Sequence, residues 1–144
     1  MLVRHLNVGE FLGHGAFRNV FEYGPNLVIK IARTDCEYKG FDARHENIVE
    51  YLNWQRIKDT EWASWFAPVY TVAPNGDWLV QHRITQTAYE AGLSHDNFPS
   101  QIHAAARAIG VGDLHDGNVG YDRQGQLRIF DYQFDTKRFM TWGT

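Results

Sequence analysis

Between residues 8 and 32 the chain runs through three short apolar segments, VGEFLG, RNVFEYG and NLVIKIA, broken by Gly13, Gly15, Gly24-Pro25 and Asn26. Short apolar runs bounded by turn formers predict strands joined by tight turns. A three-stranded antiparallel meander is therefore the expected opening of the fold. Residues 33–41 (RTDCEYKGF) read as a loop, and 43–58 (ARHENIVEYLNWQRIK) as a helix with Ile48, Tyr51, Leu52 and Trp54 close to one face. APVYTVAPNGDWLVQHRI reads as two strands around Pro74-Asn75-Gly76, a hairpin signal. After a loop containing Gly92 and Pro99, the Ala-rich SQIHAAARAIG predicts a second helix, with Ser100 as its cap and Gly110 as its stop. Two short strands, NVGYD and QLRIFD, turning at Arg123-Gln124-Gly125, complete the pattern. The class is α+β, in one domain.

With 144 residues, 44% hydrophobic and 22% charged, the chain can bury a single core. A net charge of −3 offers no basic field for nucleic acid or an anionic membrane surface, and no apolar run approaches the ~20 residues of a membrane span. The start, MLVRHLNVGEF, predicts no signal peptide, and Cys36, the only cysteine, forms no internal disulfide and leans to a reducing compartment. The five tryptophans are expected in the core, with one surface patch for self-association. His5, His45, His95 and His103 are scattered without metal-ligand spacing.

Four features carry chemistry. LGHGAFRNVF places Gly13 and Gly15 on a strand-to-strand turn with Val20 on the return strand. Glycines there either serve the turn alone or let backbone N–H groups approach phosphate oxygens. Lys30 lies inside the apolar LVIK, so its ammonium faces solvent from an edge strand or finds a carboxylate and a ligand phosphate. Glu46 and Glu50, one helical turn apart, are the candidate carboxylates; Glu50 is preferred because Trp54, one turn on, anchors that face. Finally, GDLHDGNVGY supplies Asp113 and Asn118, and Asp131 follows the apolar LRIF. These side chains either bond their own turns or converge on a divalent cation, for which Mg²⁺ with phosphate oxygens is the natural choice.

Gly13-x-Gly15-x-x-x-x-Val20, Lys30 in LVIK, Glu50 on a helix, D-L-x-x-x-N from Asp113 to Asn118, and Asp131 after an apolar strand together resemble the protein-kinase-like fold over roughly residues 8–134. DLHDGN is closer to aminoglycoside-phosphotransferase-like and small atypical bacterial or phage kinases than to the usual eukaryotic ones. The resemblance implies an antiparallel-sheet N-lobe with one helix (about 1–84) and a reduced C-lobe of helix, catalytic loop and short hairpin (85–144). It implies ATP and Mg²⁺ as cofactors. Lys30 would bind the α and β phosphates, held by Glu50, under a cover carrying Gly13, Gly15 and Val20. Backbone atoms near His82 and Ile84 would meet adenine. Asp113 would accept or orient the attacking hydroxyl, and Asn118 and Asp131 would hold the metal.

The pattern also departs from that family. Arg18 stands where a third glycine is usual, Val111-Gly112-Asp113 replaces His-Arg-Asp, and Asp131-Tyr132-Gln133 replaces Asp-Phe-Gly. Only thirteen residues follow Asp131, too few for an activation segment and later helices. The expected activity is phosphotransfer from Mg-ATP to a protein, in the cytoplasm or in a host cytoplasm if the source is viral. Self-pairing into a homodimer would cover apolar surface. The alternative is a catalytically weak or inactive kinase-like module that holds nucleotide or contacts a protein.

Overall fold

The computed structural model describes residues 8–15, 17–35 and 42–132. His5, Cys36, Trp142 and most of the 33–41 loop lie outside the described residues. The first sheet has five antiparallel strands in the order β1-β2-β3-β5-β4: β1 (Phe11–His14), β2 (Arg18–Glu22), β3 (Leu27–Ala32), β4 (Val69–Val72) and β5 (Trp78–His82). Helix α1 (Arg44–Ile57) joins β3 to β4. A second sheet, β6-β7-β8, is formed by β6 (Gln86–Thr87), β7 (Val119–Tyr121) and β8 (Leu127–Ile129), with helix α2 (Ser100–Ile109) between β6 and β7.

Local chemistry sets these limits. Gly76 closes the β4–β5 hairpin at φ +83, where its missing Cβ also matters: one built there would run into the Arg44 carbonyl oxygen. Gly110, at φ +98, ends α2 in the left-handed conformation, and the amides of Gly110 and Val111 both return to the Ala106 carbonyl. Ser100 does not cap α2. It is the first helical residue, and Pro99 holds the cap position without a side-chain capping hydrogen bond. A proline at the boundary with a fixed φ is enough to start the helix. Strand β6 was not among the expected elements; two residues are too few to carry a periodic signal.

Helix α1 overturns the expected face. Leu52 is 57% exposed and Ile48, Tyr51 and Trp54 are only partly buried, while Glu46, Asn47, Val49, Glu50, Asn53 and Ile57 are buried. An apolar stripe usually faces the core. Here the buried stripe is largely polar because it meets cations and backbone groups of the sheet: Asn47 donates to the carbonyls of Lys30 (3.3 Å) and Gly76 (2.9 Å), and Asn53 to that of Tyr132 (2.7 Å).

One hydrophobic cluster runs through both sheets. Ile57 of α1, Leu79 of β5, Ile102 of α2, Val119 and Ile129 of the second sheet, Phe66 and Tyr132 all belong to it, with Trp54, Trp62 and Trp65 packed at its margin. Each such fully buried large side chain contributes about 1.5–3 kcal/mol. The Ala67 N–H bonds the Ile129 carbonyl (2.8 Å), fastening the second sheet to the segment that leads into β4, and the Thr85 N–H to the Tyr121 carbonyl (2.8 Å) extends the β6–β7 pairing. No helix among the described residues is long and apolar enough to cross a membrane.

Candidate functional site

The site begins with strand register. Val20 pairs with Lys30 and Arg18 with Ala32 across β2 and β3. Opposed residues of an antiparallel pair project to the same side, and alternate residues share a face. Arg18, Val20 and Lys30 therefore lie on one face. Both cations are buried, and both reach the same oxygen of Glu50: Arg18 Nη1 at 2.7 Å and Lys30 Nζ at 2.8 Å from Oε1. Glu50, not Glu46, is thus the carboxylate bonded to the lysine. Its Oε2 accepts the Tyr132 N–H at 2.7 Å, so Glu50 ties α1 both to the first sheet and to the segment after β8.

Asp131 completes the cluster. Its Oδ1 lies 2.9 Å from Lys30 Nζ and 3.4 Å from Arg18 Nη2, and Lys30 also donates to the Phe130 carbonyl at 2.8 Å. Burial pushes the Asp131 carboxyl up, but Lys30 and Arg18 outweigh it and hold the group below the ordinary aspartate value. Burial likewise opposes the Arg18 charge, and Glu50 and Asp131 more than offset this, so its pKa is raised. Two cations and two carboxylates neutralise one another, which is what makes their burial tolerable. The Asp131 side chain remains 39% exposed, and its Oδ2 has no hydrogen-bond partner among the described residues.

Asn118 and Asp131 lie at neighbouring strand ends, because Phe130 N–H donates to the Asn118 carbonyl (3.0 Å) just beyond the Val119–Ile129 pair. Asn118 is buried and knits its own loop: Nδ2 donates to the Asp113 carbonyl at 2.6 Å, and Oδ1 accepts the His115 N–H at 2.9 Å. The Asp113 carboxylate is free of that work, with its side chain 94% exposed. His115 faces it, Nε2 at 3.8 Å from Oδ2. Because His115 Nδ1 accepts the Gly117 N–H at 2.9 Å, the neutral ring carries its proton on Nε2.

The glycine turn between β1 and β2 is closed by Gly15 N–H to the Arg18 carbonyl (2.9 Å), and Arg33 holds its outer side through the Gly15 carbonyl (2.8 Å). Among the described residues, chain neighbours aside, nothing lies within 4 Å of a Cβ built at Gly13 or Gly15, and neither adopts a positive φ. Gly120 contrasts with them, since a Cβ there would sit 2.5 Å from Ile84 Cγ2.

His82 and Ile84 occupy the passage from β5 to the second sheet. The His82 N–H is committed to the Pro68 carbonyl (2.9 Å), and its Nε2 lies 3.0 Å from Asp122 Oδ2. Ile84 covers Gly120. Among the described residues no group of three or more His, Cys, Asp or Glu side chains could hold a metal ion without help. A cation at Asn118 and Asp131 would need further ligands from phosphate oxygens or water, the usual situation for Mg²⁺.

Three participants were missed in the sequence: Arg18, Asn47 and the Tyr132 amide. Arg18 had a signal, since it alternates with Val20 on a strand whose partner carries Lys30. Asn47 and Asn53 also flank Glu50 at a spacing of three on the helix, a polar stripe one face wide.

No family model matches the chain, and no curated protein matches it. Solved structures do resemble it. A co-crystal structure of WbdD with the kinase inhibitor LY294002 superposes with a TM-score of 0.54 at 19% identity, over 92% of this chain and 35% of that one. A second WbdD crystal structure gives 0.50 at 17% identity, with the same shares. A third, described as the bifunctional kinase-methyltransferase WbdD, gives 0.49 at 18% identity, over 88% and 33%. The chain thus spans about a third of the length of these proteins. At such identity the likeness concerns architecture: the chain has a mixed α and β fold similar to part of WbdD.

Proposed function

We propose that the chain is a phosphotransferase of kinase-like fold, which binds Mg-ATP and passes the terminal phosphoryl group to a hydroxyl, most simply on a protein. The observation that carries this reading is Lys30 Nζ, buried and within 2.9 Å of both the Glu50 and Asp131 carboxylates, from a helix and from a strand end 101 residues away. A cation gathered with two acids beside an open glycine turn suits a polyphosphate with its metal. Lys30 would meet phosphate oxygens. The unused Oδ2 of Asp131 and the remaining lone pair of Asn118 Oδ1 would face the cation. The open space over Gly13 and Gly15 suits close approach of backbone N–H groups to phosphate, with Val20 beside it. The exposed Asp113 would orient the acceptor hydroxyl and take its proton as the new phosphorus–oxygen bond forms and the β–γ bridge bond breaks. His82 spends its amide on Pro68, so adenine would rely on other backbone groups of the 82–84 passage.

The second reading, a nucleotide-holding or protein-contacting module without turnover, is favoured by the closed cluster itself. Lys30 and Arg18 already neutralise Asp131 Oδ1, so the arrangement is self-sufficient without a metal.

The test is incubation of the chain with Mg²⁺ and γ-labelled ATP, alone and with cell lysate, beside Asp113→Ala and Asp131→Ala. Label transfer or phosphate release that vanishes in both variants supports the enzyme. An ATP-induced rise in Tm without turnover favours the module. No rise and no turnover removes both nucleotide readings and leaves only the protein-contacting module.

A further inference from the structure

We propose that Arg18 is a positioning residue whose task is to release Lys30 for the ligand. The inference rests on the nucleotide reading above, and it comes from counting donors. A lysine ammonium has three N–H donors and no acceptor. Lys30 has three acceptors in place: Glu50 Oε1 (2.8 Å), Asp131 Oδ1 (2.9 Å) and the Phe130 carbonyl (2.8 Å). The ammonium is saturated. A phosphate oxygen can bind it only if one of those bonds is surrendered.

In an ordinary buried pair, that surrender would strand a carboxylate without its cation, at a large cost. Here each carboxylate that Lys30 serves is served a second time. Arg18 reaches the same Glu50 oxygen at 2.7 Å and the same Asp131 oxygen at 3.4 Å, and Asn47 Oδ1 steadies the guanidinium at 3.2 Å. The planar fork reaches both acids through separate nitrogens, Nη1 to Glu50 and Nη2 to Asp131. When Lys30 turns to the phosphate, Arg18 keeps Glu50 and Asp131 neutralised and in place. The position also couples parts of the site. Arg18 opens β2, directly after the glycine turn, and its carbonyl accepts the Gly15 N–H at 2.9 Å. The residue that steadies the acids therefore also closes the turn that would lie over the phosphates.

The test is a double-mutant cycle on Mg-ATP affinity by calorimetry, with circular dichroism confirming the fold of each protein. Arg18→Met is expected to weaken Mg-ATP binding about tenfold, because Lys30 stays captured by two acids. In a Lys30→Met background the same substitution should change affinity by less than about twofold, since there is no lysine left to release. Arg18→Lys keeps the charge without the fork and should lose about threefold; if Arg18→Met does not fold, the cycle is run with Arg18→Lys. A loss of the same size with and without Lys30 would show a general structural role and overturn the proposal, as would an Arg18→Met protein that binds like the parent. If the parent chain binds no Mg-ATP, the nucleotide reading fails first and this inference falls with it; binding by the parent combined with an additive cycle removes this inference alone.

Discussion

Two aspartates in this molecule sit between a pair of basic groups, and they are built to different degrees of completion. Asp122, in the turn between β7 and β8, accepts from His82 Nε2 and Arg128 Nε through Oδ2 and from the Gln124 and Gln126 amides through Oδ1, all at 2.9–3.0 Å. Its side chain is 1% exposed. Asp131, by contrast, uses one oxygen only among the described residues, and its side chain is 39% exposed. A carboxylate with every lone pair engaged is part of the frame. Asp122 holds β5, through His82, and β8, through Arg128, to one turn, and so fixes the passage between the sheets. A carboxylate with an oxygen to spare, beside a saturated lysine, is equipped to exchange partners. The first kind of cluster sets a shape, and the second can change occupants within it.

The strongest way to break this contrast is to remove Asp122. Asp122→Ala leaves a histidine, an arginine and two turn amides without their shared acceptor, and the expected loss is about 3–5 kcal/mol of stability, read from denaturant unfolding. Mg-ATP affinity of the folded fraction should fall less than in Asp131→Ala. A variant that unfolds like the parent would dismiss Asp122 as a frame element.

Acid offers a gentler probe of the same group. Burial raises the Asp122 carboxyl, but the bonds from His82, Gln126, Arg128 and Gln124 outweigh it, and its pKa falls from 3.8 to about 2. A depressed folded-state pKa stabilises the fold above the unfolded value, and that contribution disappears as pH falls through the folded one. Asp122 should therefore contribute on the order of 2 kcal/mol near neutral pH, lost between about pH 4 and pH 2. Asp131, also depressed, adds loss in the same direction. In Asp122→Asn the slope of stability against pH in that window should flatten; an unchanged slope would assign acid sensitivity elsewhere.

Asp131→Ala is expected to cost less stability than Asp122→Ala, about 1–2 kcal/mol, because water already reaches the side chain and Glu50 still neutralises one of the two cations. The two substitutions should thus reverse their ranking between assays: Asp122→Ala more harmful to unfolding, Asp131→Ala more harmful to Mg-ATP binding. Equal rankings in both assays would erase the distinction between frame and site.

The sequence made one of these clusters far easier to read than the other. Short apolar runs between Gly, Pro and Asn revealed five strands of the first sheet and both strands of the last hairpin, because turn chemistry is local. The order of Lys30, a helix glutamate, Asp113, Asn118 and Asp131 suggested one site, and the structure brings Lys30, Glu50 and Asp131 into contact, with Asn118 beside the same strand end. Arg18 was read as a missing glycine, since its meaning depends on the β2–β3 register. Asp122 is only the last residue of the expected strand NVGYD, and nothing local in the sequence tells that His82 and Arg128 arrive from other strands. Helix α1 misled for a related reason: hydrophobic periodicity locates a buried face only when the partner is apolar, and here the partners are cations and carbonyls.

The glycines bring the same contrast down to the smallest expected change in stability. Gly76 is needed by the frame: it has a positive φ, and a Cβ there would run into the Arg44 backbone. Gly15 has neither constraint. Its φ is not positive, and among the described residues beyond its chain neighbours a built Cβ meets nothing within 4 Å. Gly15→Ala should therefore change stability by less than about 0.5 kcal/mol, and lower chain entropy in the unfolded state makes a slight gain as natural as a loss. Its effect should fall on the ligand. If phosphate oxygens approach the turn's N–H groups, a methyl group in that space obstructs them, and Mg-ATP affinity should drop while Tm of the free protein stays level. Gly15→Ala binding Mg-ATP as the parent does would mean that the turn does not cover the phosphates. The nucleotide would then have to rely on the Lys30 cluster, without the backbone cradle.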